Sequence, residues 1–194
     1  ADHDYASWTG AVQHATSLSA LLERCEGHRP SFEAAVDCLA AATNARAAKR
    51  APLKERLSCV EKMTRQAKTL GDPRRILART HESSVKHLTD VLRATLAYDT
   101  VGACADALEA ILDPEAWRSP ADWPGAAPSP LGDRVKVVAA KHGFLESSGG
   151  YRHATVILRL GGDRRLKEFG EANVKDFVVA ELQLTTARQL EDVA

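Results

Sequence analysis

The spacing of hydrophobic positions changes near residue 90. Between Ser17 and His87 they recur at three- and four-residue intervals, as in Leu18, Leu21, Leu22 and Cys25, then Phe32, Ala35, Val36 and Leu39. At 3.6 residues per turn, such positions fall on one stripe of a helix. The residues around them are mainly Ala, Leu, Arg, Lys and Glu, which are good helix formers. Pro30, Pro52 and Pro73 stand where helices should begin, because proline suits the first turn and disrupts the interior. The pattern predicts helices at about 8–26, 30–47, 53–70 and 73–87.

Beyond Asp90 the apolar runs become short and rich in Val, Ile, Thr and Leu, which is strand chemistry. Strands are predicted at about 91–98, 134–140, 151–160 and 177–185, with a helix at 101–112. In the last strand, alternation puts Val178, Ala180, Leu182 and Leu184 on one face and Phe177, Val179, Glu181, Gln183 and Thr185 on the other. The purely apolar set should face the helices, leaving Glu181 and Gln183 on an open face. The expected architecture is α+β: a mixed, mostly antiparallel sheet of four to five strands flanked by helices, with an N-terminal helical extension. Residues 1–50 are expected to form that extension and 51–194 the main domain. The Pro-rich stretch 113–133 reads as a surface excursion pinned by Trp117 and Trp123.

Bulk properties exclude several classes. The 26 Lys and Arg balance 26 Asp and Glu over 194 residues, so no global charge draws the chain to nucleic acid or membrane. No apolar run approaches the roughly 20 residues needed to span a bilayer, and ADHDYASWTG lacks the apolar core of a signal peptide. The expected location is cytoplasmic, or the target cytoplasm of a secreted effector. Cys25, Cys38, Cys59 and Cys104 have neither zinc-site spacing nor disulfide-scaffold density, so ordinary packed thiols are expected. The scattered histidines suggest no metal site.

Charge is nevertheless concentrated locally. Between Arg46 and Arg79 there are eleven Lys or Arg against three acids, an excess of eight positive charges. Such a segment suits phosphate binding. Lys54 and Lys62, eight residues apart, lie within about 80° of one another on a helix. Asp90, at the entry to the first predicted strand, and Glu181, in the last, are candidate ligands for a divalent cation. Tyr151 follows the turn Ser147-Ser148-Gly149-Gly150, where glycine lets a ligand approach the backbone and the ring could stack on a base.

The order APLKERLSCVEK, DVLRATLAYD, KHGFLESSGGYRHATVILRL and VVAELQLTT resembles the RelA/SpoT-type nucleotidyltransferases, the alarmone synthetase-like pyrophosphokinases, over about residues 52–186. The resemblance implies that Asp90 and Glu181 hold Mg²⁺ and that Lys54, Arg56 and Lys62 bind ATP phosphates. It further implies that Tyr151 stacks on the acceptor base and that Lys141 approaches the substrates. Arg93, Arg152 and Gln183 complete the implied site. It also implies pyrophosphate transfer from ATP to the ribose 3′-hydroxyl of a nucleotide, with guanine favoured, or of tRNA, as in toxin-like members. An antitoxin or immunity protein is then a conceivable partner. The alternative is a non-catalytic nucleotide-binding or regulatory module with the same fold.

The chain departs from the family pattern at several points. Pro52 replaces the arginine of an Arg-x-Lys motif, so its charge is missing unless Arg50 or Arg56 supplies it. Arg93 and Thr95 stand in place of the glycine and arginine of Asp-Leu-x-Gly-x-Arg. Thr155 replaces a histidine, and Gly149 a polar residue.

Overall fold

The computed structural model describes residues 15, 17–69, 85, 87–113, 135–142, 153–161 and 177–191. In chain order these form α1 (Leu18–Ala42), β1 (Ala47–Arg50), α2 (Arg56–Thr69), β2 (Arg93–Tyr98), α3 (Val101–Leu112), β3 (Val135–His142), β4 (Ala154–Leu160), β5 (Val178–Thr186) and the short α4 (Ala187–Glu191). The expected helix at 73–87, the excursion at 113–133 with Trp117 and Trp123, and the turn carrying Tyr151 and Arg152 fall wholly or mainly outside the described residues.

Five strands form one mixed sheet in the order β1-β2-β5-β4-β3. β2 and β5 are parallel, while the other three neighbouring pairs are antiparallel. This is the α+β architecture expected from the sequence. The helix-facing side of the sheet carries Ala94, Leu96, Tyr98, Val156, Leu158, Leu160, Val178, Ala180, Leu182 and Leu184, packed with Leu21, Cys25, Phe32, Val36 and Leu39 of α1 in the main core. On the other face Ala139, Ile157 and Val179 form a second, smaller buried cluster with Val138 and Phe177. Alternation along β5 therefore holds: Leu182 and Leu184 are fully buried, and Glu181 and Gln183 face the opposite side.

Two local expectations are corrected. The helices at 8–26 and 30–47 are not separate, since α1 runs through Pro30 from Leu18 to Ala42. An interior proline costs one backbone hydrogen bond and a steric clash, about 3 kcal/mol. Pro30 lies on the exposed side of α1, and apolar anchors on both sides of it, Leu21 and Cys25 before and Phe32, Val36 and Leu39 after, pack into the same core. Tertiary burial outweighs the local signal.

Residues 47–50 are a strand, not the end of a helix. Asn44 takes the left-handed conformation at φ 53°. Ala45 N donates to Ala40 O at 2.9 Å, and Asn44 N to Ala41 O at 3.3 Å. This is a Schellman-type stop, in which asparagine tolerates the positive φ that most residues avoid. The chain then reverses and Ala47–Arg50 adds an edge to β2, with Lys49 opposite Thr95. Tyr98 ties the stop to the sheet, its hydroxyl lying 2.8 Å from Thr43 Oγ1.

Candidate active site

Asp90 sits three residues before β2, in a segment held against the start of α2. Lys54 N donates to Val91 O at 3.1 Å, which brings residues 51–55 alongside the β2 entrance. Lys54 then lies just ahead of α2, and Lys62 is two turns further along on a similar bearing. Both ammonium groups reach the same carboxylate: Lys54 Nζ is 2.6 Å from Asp90 Oδ2, and Lys62 Nζ is 2.8 Å from Asp90 Oδ1. The Lys54 contact is a good hydrogen bond. Lys62 ion-pairs the other oxygen of the same carboxylate.

Asp90 is only 8% exposed. Burial by itself would raise its pKa, but Lys54 and Lys62 together outweigh that and hold it below the usual carboxylate range. The carboxylate is therefore ionised at neutral pH. Cys59, on the same turn of α2, is buried close by; burial pushes its thiol pKa up, in spite of the opposing effect of Lys54.

Glu181 lies on the strand parallel to β2. Its backbone N donates to Leu92 O at 2.9 Å, and its Cα is paired with that of Arg93. Gln183 Nε2 donates to Glu181 Oε1 at 2.7 Å, orienting the carboxylate along the open face. One row across this face reads Lys49, Thr95, Gln183, Thr155 and Lys141, from β1 to β3. The neighbouring row contains Arg93, Glu181, Ile157 and Ala139. His153 precedes β4 near Glu181 and Lys141; burial, the largest effect, lowers its pKa, with Lys141 adding to this and Glu181 opposing it.

The structure thus brings Lys54, Lys62 and Asp90 into contact and sets Glu181, Gln183, Arg93 and Lys141 on one face of the sheet. Arg56 is directed elsewhere: its Nη2 donates to Ser19 Oγ of α1 at 2.7 Å. Arg50, the other candidate for the missing arginine, is bound by Asp37 of α1. Tyr151 and Arg152 lie outside the described residues. Lys49 and His153 did not stand out in the sequence as site residues, and Thr95 did so only as a departure from the family pattern, because strand β1 and the cross-strand register are tertiary facts.

The carboxylates of Asp90 and Glu181 offer hard oxygen donors, those of Asp90 being held by Lys54 on Oδ2 and Lys62 on Oδ1 in this structure. This chemistry fits Mg²⁺, which takes one or two protein carboxylates and completes its shell with water and phosphate. Among the described residues no group of three or more His, Cys, Asp or Glu forms a self-sufficient metal cage.

No family model matches the chain, and no curated protein matches it in sequence. Solved structures do. The chain is similar to the small alarmone synthetase 1 from Bacillus subtilis, with 12% identity and a TM-score of 0.56 over 87% of this chain and 72% of that one. A structure of that protein bound to its product pppGpp gives a TM-score of 0.55 at 12% identity, covering 86% and 72% of the two chains. A GTP pyrophosphokinase family protein from Streptococcus pneumoniae gives 0.52 at 12% identity, covering 88% and 68%. At these identities the shared property is architecture: the chain has the fold of the small alarmone synthetases, the architecture its RelA/SpoT-like motif order predicts.

Proposed function

We propose that this protein transfers the pyrophosphoryl group of ATP to the ribose 3′-hydroxyl of an acceptor nucleotide. The carrying observation is the buried Asp90 between Lys54 and Lys62, three residues before β2, whose parallel neighbour β5 carries Glu181, within a fold shared with proteins described as alarmone synthetases. That one such protein is described with bound pppGpp supports a nucleotide product.

Lys54 and Lys62 carry mobile point charges on flexible stems. In this structure they hold Asp90; with ATP bound they move onto its phosphates and stabilise charge that develops during transfer. Asp90, so released, and Glu181, oriented by Gln183, would hold Mg²⁺. When bound, the ion would neutralise the phosphates and fix their orientation. The acceptor lies toward β4 and β3, near Thr155 and Lys141, with Tyr151 as its stacking surface and Arg152 as an added cation. Its 3′ oxygen bonds to the β-phosphorus in line with the departing AMP oxygen. Guanine nucleotides lead the acceptor candidates, and the 3′ end of tRNA is the other.

Incubation with labelled ATP, Mg²⁺ and each of GDP, GTP, ADP, ATP and uncharged tRNA tests this reading. A pyrophosphorylated product that vanishes in Glu181→Gln is the expected result. Folded protein that yields no product and binds no nucleotide would refute it.

The Lys54–Asp90–Lys62 cluster also favours a second reading. Because both ammonium groups are already engaged by Asp90, and the cluster keeps one net positive charge, the site could serve as a stable structural core in a nucleotide-binding module without turnover. Tight nucleotide binding that is indifferent to Mg²⁺, with no product, would establish that reading in place of the first.

A further inference from the structure

Most basic side chains around the site are engaged. Lys54 and Lys62 hold Asp90. Arg46 pairs with Asp99, Arg50 with Asp37, and Arg56 with Ser19. Lys49 and Arg93 differ: both are exposed, and among the described residues neither makes an ion pair or side-chain hydrogen bond.

Their placement follows from the ladder. Arg50 turns to the helix side, where it meets Asp37 of α1, so Lys49, next along the strand, points to the opposite, open face. Lys49 is opposite Thr95, and Arg93 lies two residues further along β2 on the same face. Diagonal neighbours of this kind are about 7–8 Å apart, within reach of long side chains. Arg93 also adjoins Glu181, but that carboxylate accepts from Gln183. Among the described residues neither cation is ion-paired, although Glu181 adjoins Arg93 across the ladder, and two like charges placed diagonally repel one another.

The segment from Lys49 to Lys54 runs back along β2, from the level of Thr95 to that of Val91, where Lys54 N meets Val91 O. Four residues of strand make this about 13 Å. Lys49, Arg93 and Lys54 therefore lie along one margin of the open face, a span suited to a chain of phosphates and not to a single one.

We propose that Lys49 and Arg93 form a polyphosphate subsite on the β1–β2 margin, which takes the triphosphate of the donor nucleotide and restores the positive charge missing at Pro52. The assignment of that ligand to the donor rests on the pyrophosphate-transfer reading; the anion subsite itself rests on two neighbouring cations that are not ion-paired among the described residues. Charge-assisted contacts to phosphate are short and strong, and Arg93 offers a planar fork.

The test is calorimetric titration of the whole chain, with Mg²⁺, using ATP, AMP and inorganic tripolyphosphate. The wild type should bind ATP and tripolyphosphate more tightly than AMP. Lys49→Gln should weaken both polyphosphates about tenfold, a typical value for one charged hydrogen bond, and leave AMP unchanged. Lys49→Arg should restore binding, and Arg93→Gln should behave as Lys49→Gln does. Unchanged melting curves for these exposed positions would show that the variants fold. If ATP is bound and turned over but Lys49→Gln binds it as the wild type does, the subsite is overturned while the proposed reaction stands. Lys49-dependent binding of tripolyphosphate without any product from ATP overturns the reaction while the subsite stands. A wild type that binds neither polyphosphate overturns the subsite outright.

Discussion

Asp90→Asn keeps the shape of the side chain and removes its charge, leaving Lys54 and Lys62 facing one another. The two ammonium groups are largely shielded, with side-chain exposures of 15% and 31%, and the Asp90 side chain is 12% exposed. Removing one member of a buried charge cluster costs about 3–5 kcal/mol, because the partners stay desolvated without compensation. Lys62 retains some access to water, so the low end, about 3 kcal/mol, is expected. With an m-value of about 2 kcal/mol/M, the urea midpoint should fall by about 1.5 M. The effect should depend on pH with a defined sign. Asp90 has a lowered pKa in the folded protein. Its contribution is therefore complete above the unfolded carboxylate value of about 3.9 and is lost as pH falls through the lower folded value. Urea titrations of both proteins at neutral pH and at successively lower pH should show the midpoint gap closing in acid. Adding Lys54→Met should cost less in the Asp90→Asn background than in the wild type. A neutral-pH shift below about 0.5 M, or a gap that stays constant into acid, would refute the clamp.

Glu181→Gln should abolish pyrophosphate transfer from labelled ATP and leave the far-ultraviolet circular dichroism unchanged, because Glu181 lies on the open face. Tyr98→Phe should lower stability by about 1 kcal/mol in urea titration through loss of the Thr43 hydrogen bond at the end of α1. Leu182→Ala, fully buried at the centre of the sheet, should cost about 2–5 kcal/mol by the same assay. At pH 8, a thiol reagent should modify native Cys38 well ahead of the others, because it is half-buried where they are buried, even though burial and then Asp37 raise its pKa too. Burial, with a smaller contribution from Cys59, pushes Cys25 up to about 12, and burial pushes Cys104 up to about 11, while Cys59 is raised by burial as well. Fast native labelling of several thiols would contradict that packing.

Sequence periodicity located β2, α3, β4 and β5 to within a few residues and identified the faces of β5 correctly. These elements obey local rules: strict alternation in 178–184, and Thr100 capping α3 by accepting from Ala103 N at 3.0 Å. It failed where packing overrode local preference. Pro30 looked like a helix start and is spanned by α1. Ala47–Arg50 has little β propensity and became a strand because a left-handed Asn44 returned the chain to an open sheet edge.

The same division runs through the candidate site. The chemistry was legible in one dimension: two acids, a basic segment, and an order of motifs resembling a nucleotidyltransferase, all consequences of residue type and short-range spacing. Which cations hold an acid, and which make no ion pair among the described residues, was not legible, because charge pairing depends on distances between residues tens of positions apart. Lys54 and Lys62 meet Asp90 only once residues 51–55 lie along the β2 entrance. Arg50 and Arg56 are drawn to α1, and Lys49 comes to the open face by the alternation of a strand that exists only through its pairing with β2. Residue types set what chemistry the chain could support, and the long-range register of the sheet decided which side chains are free to perform it.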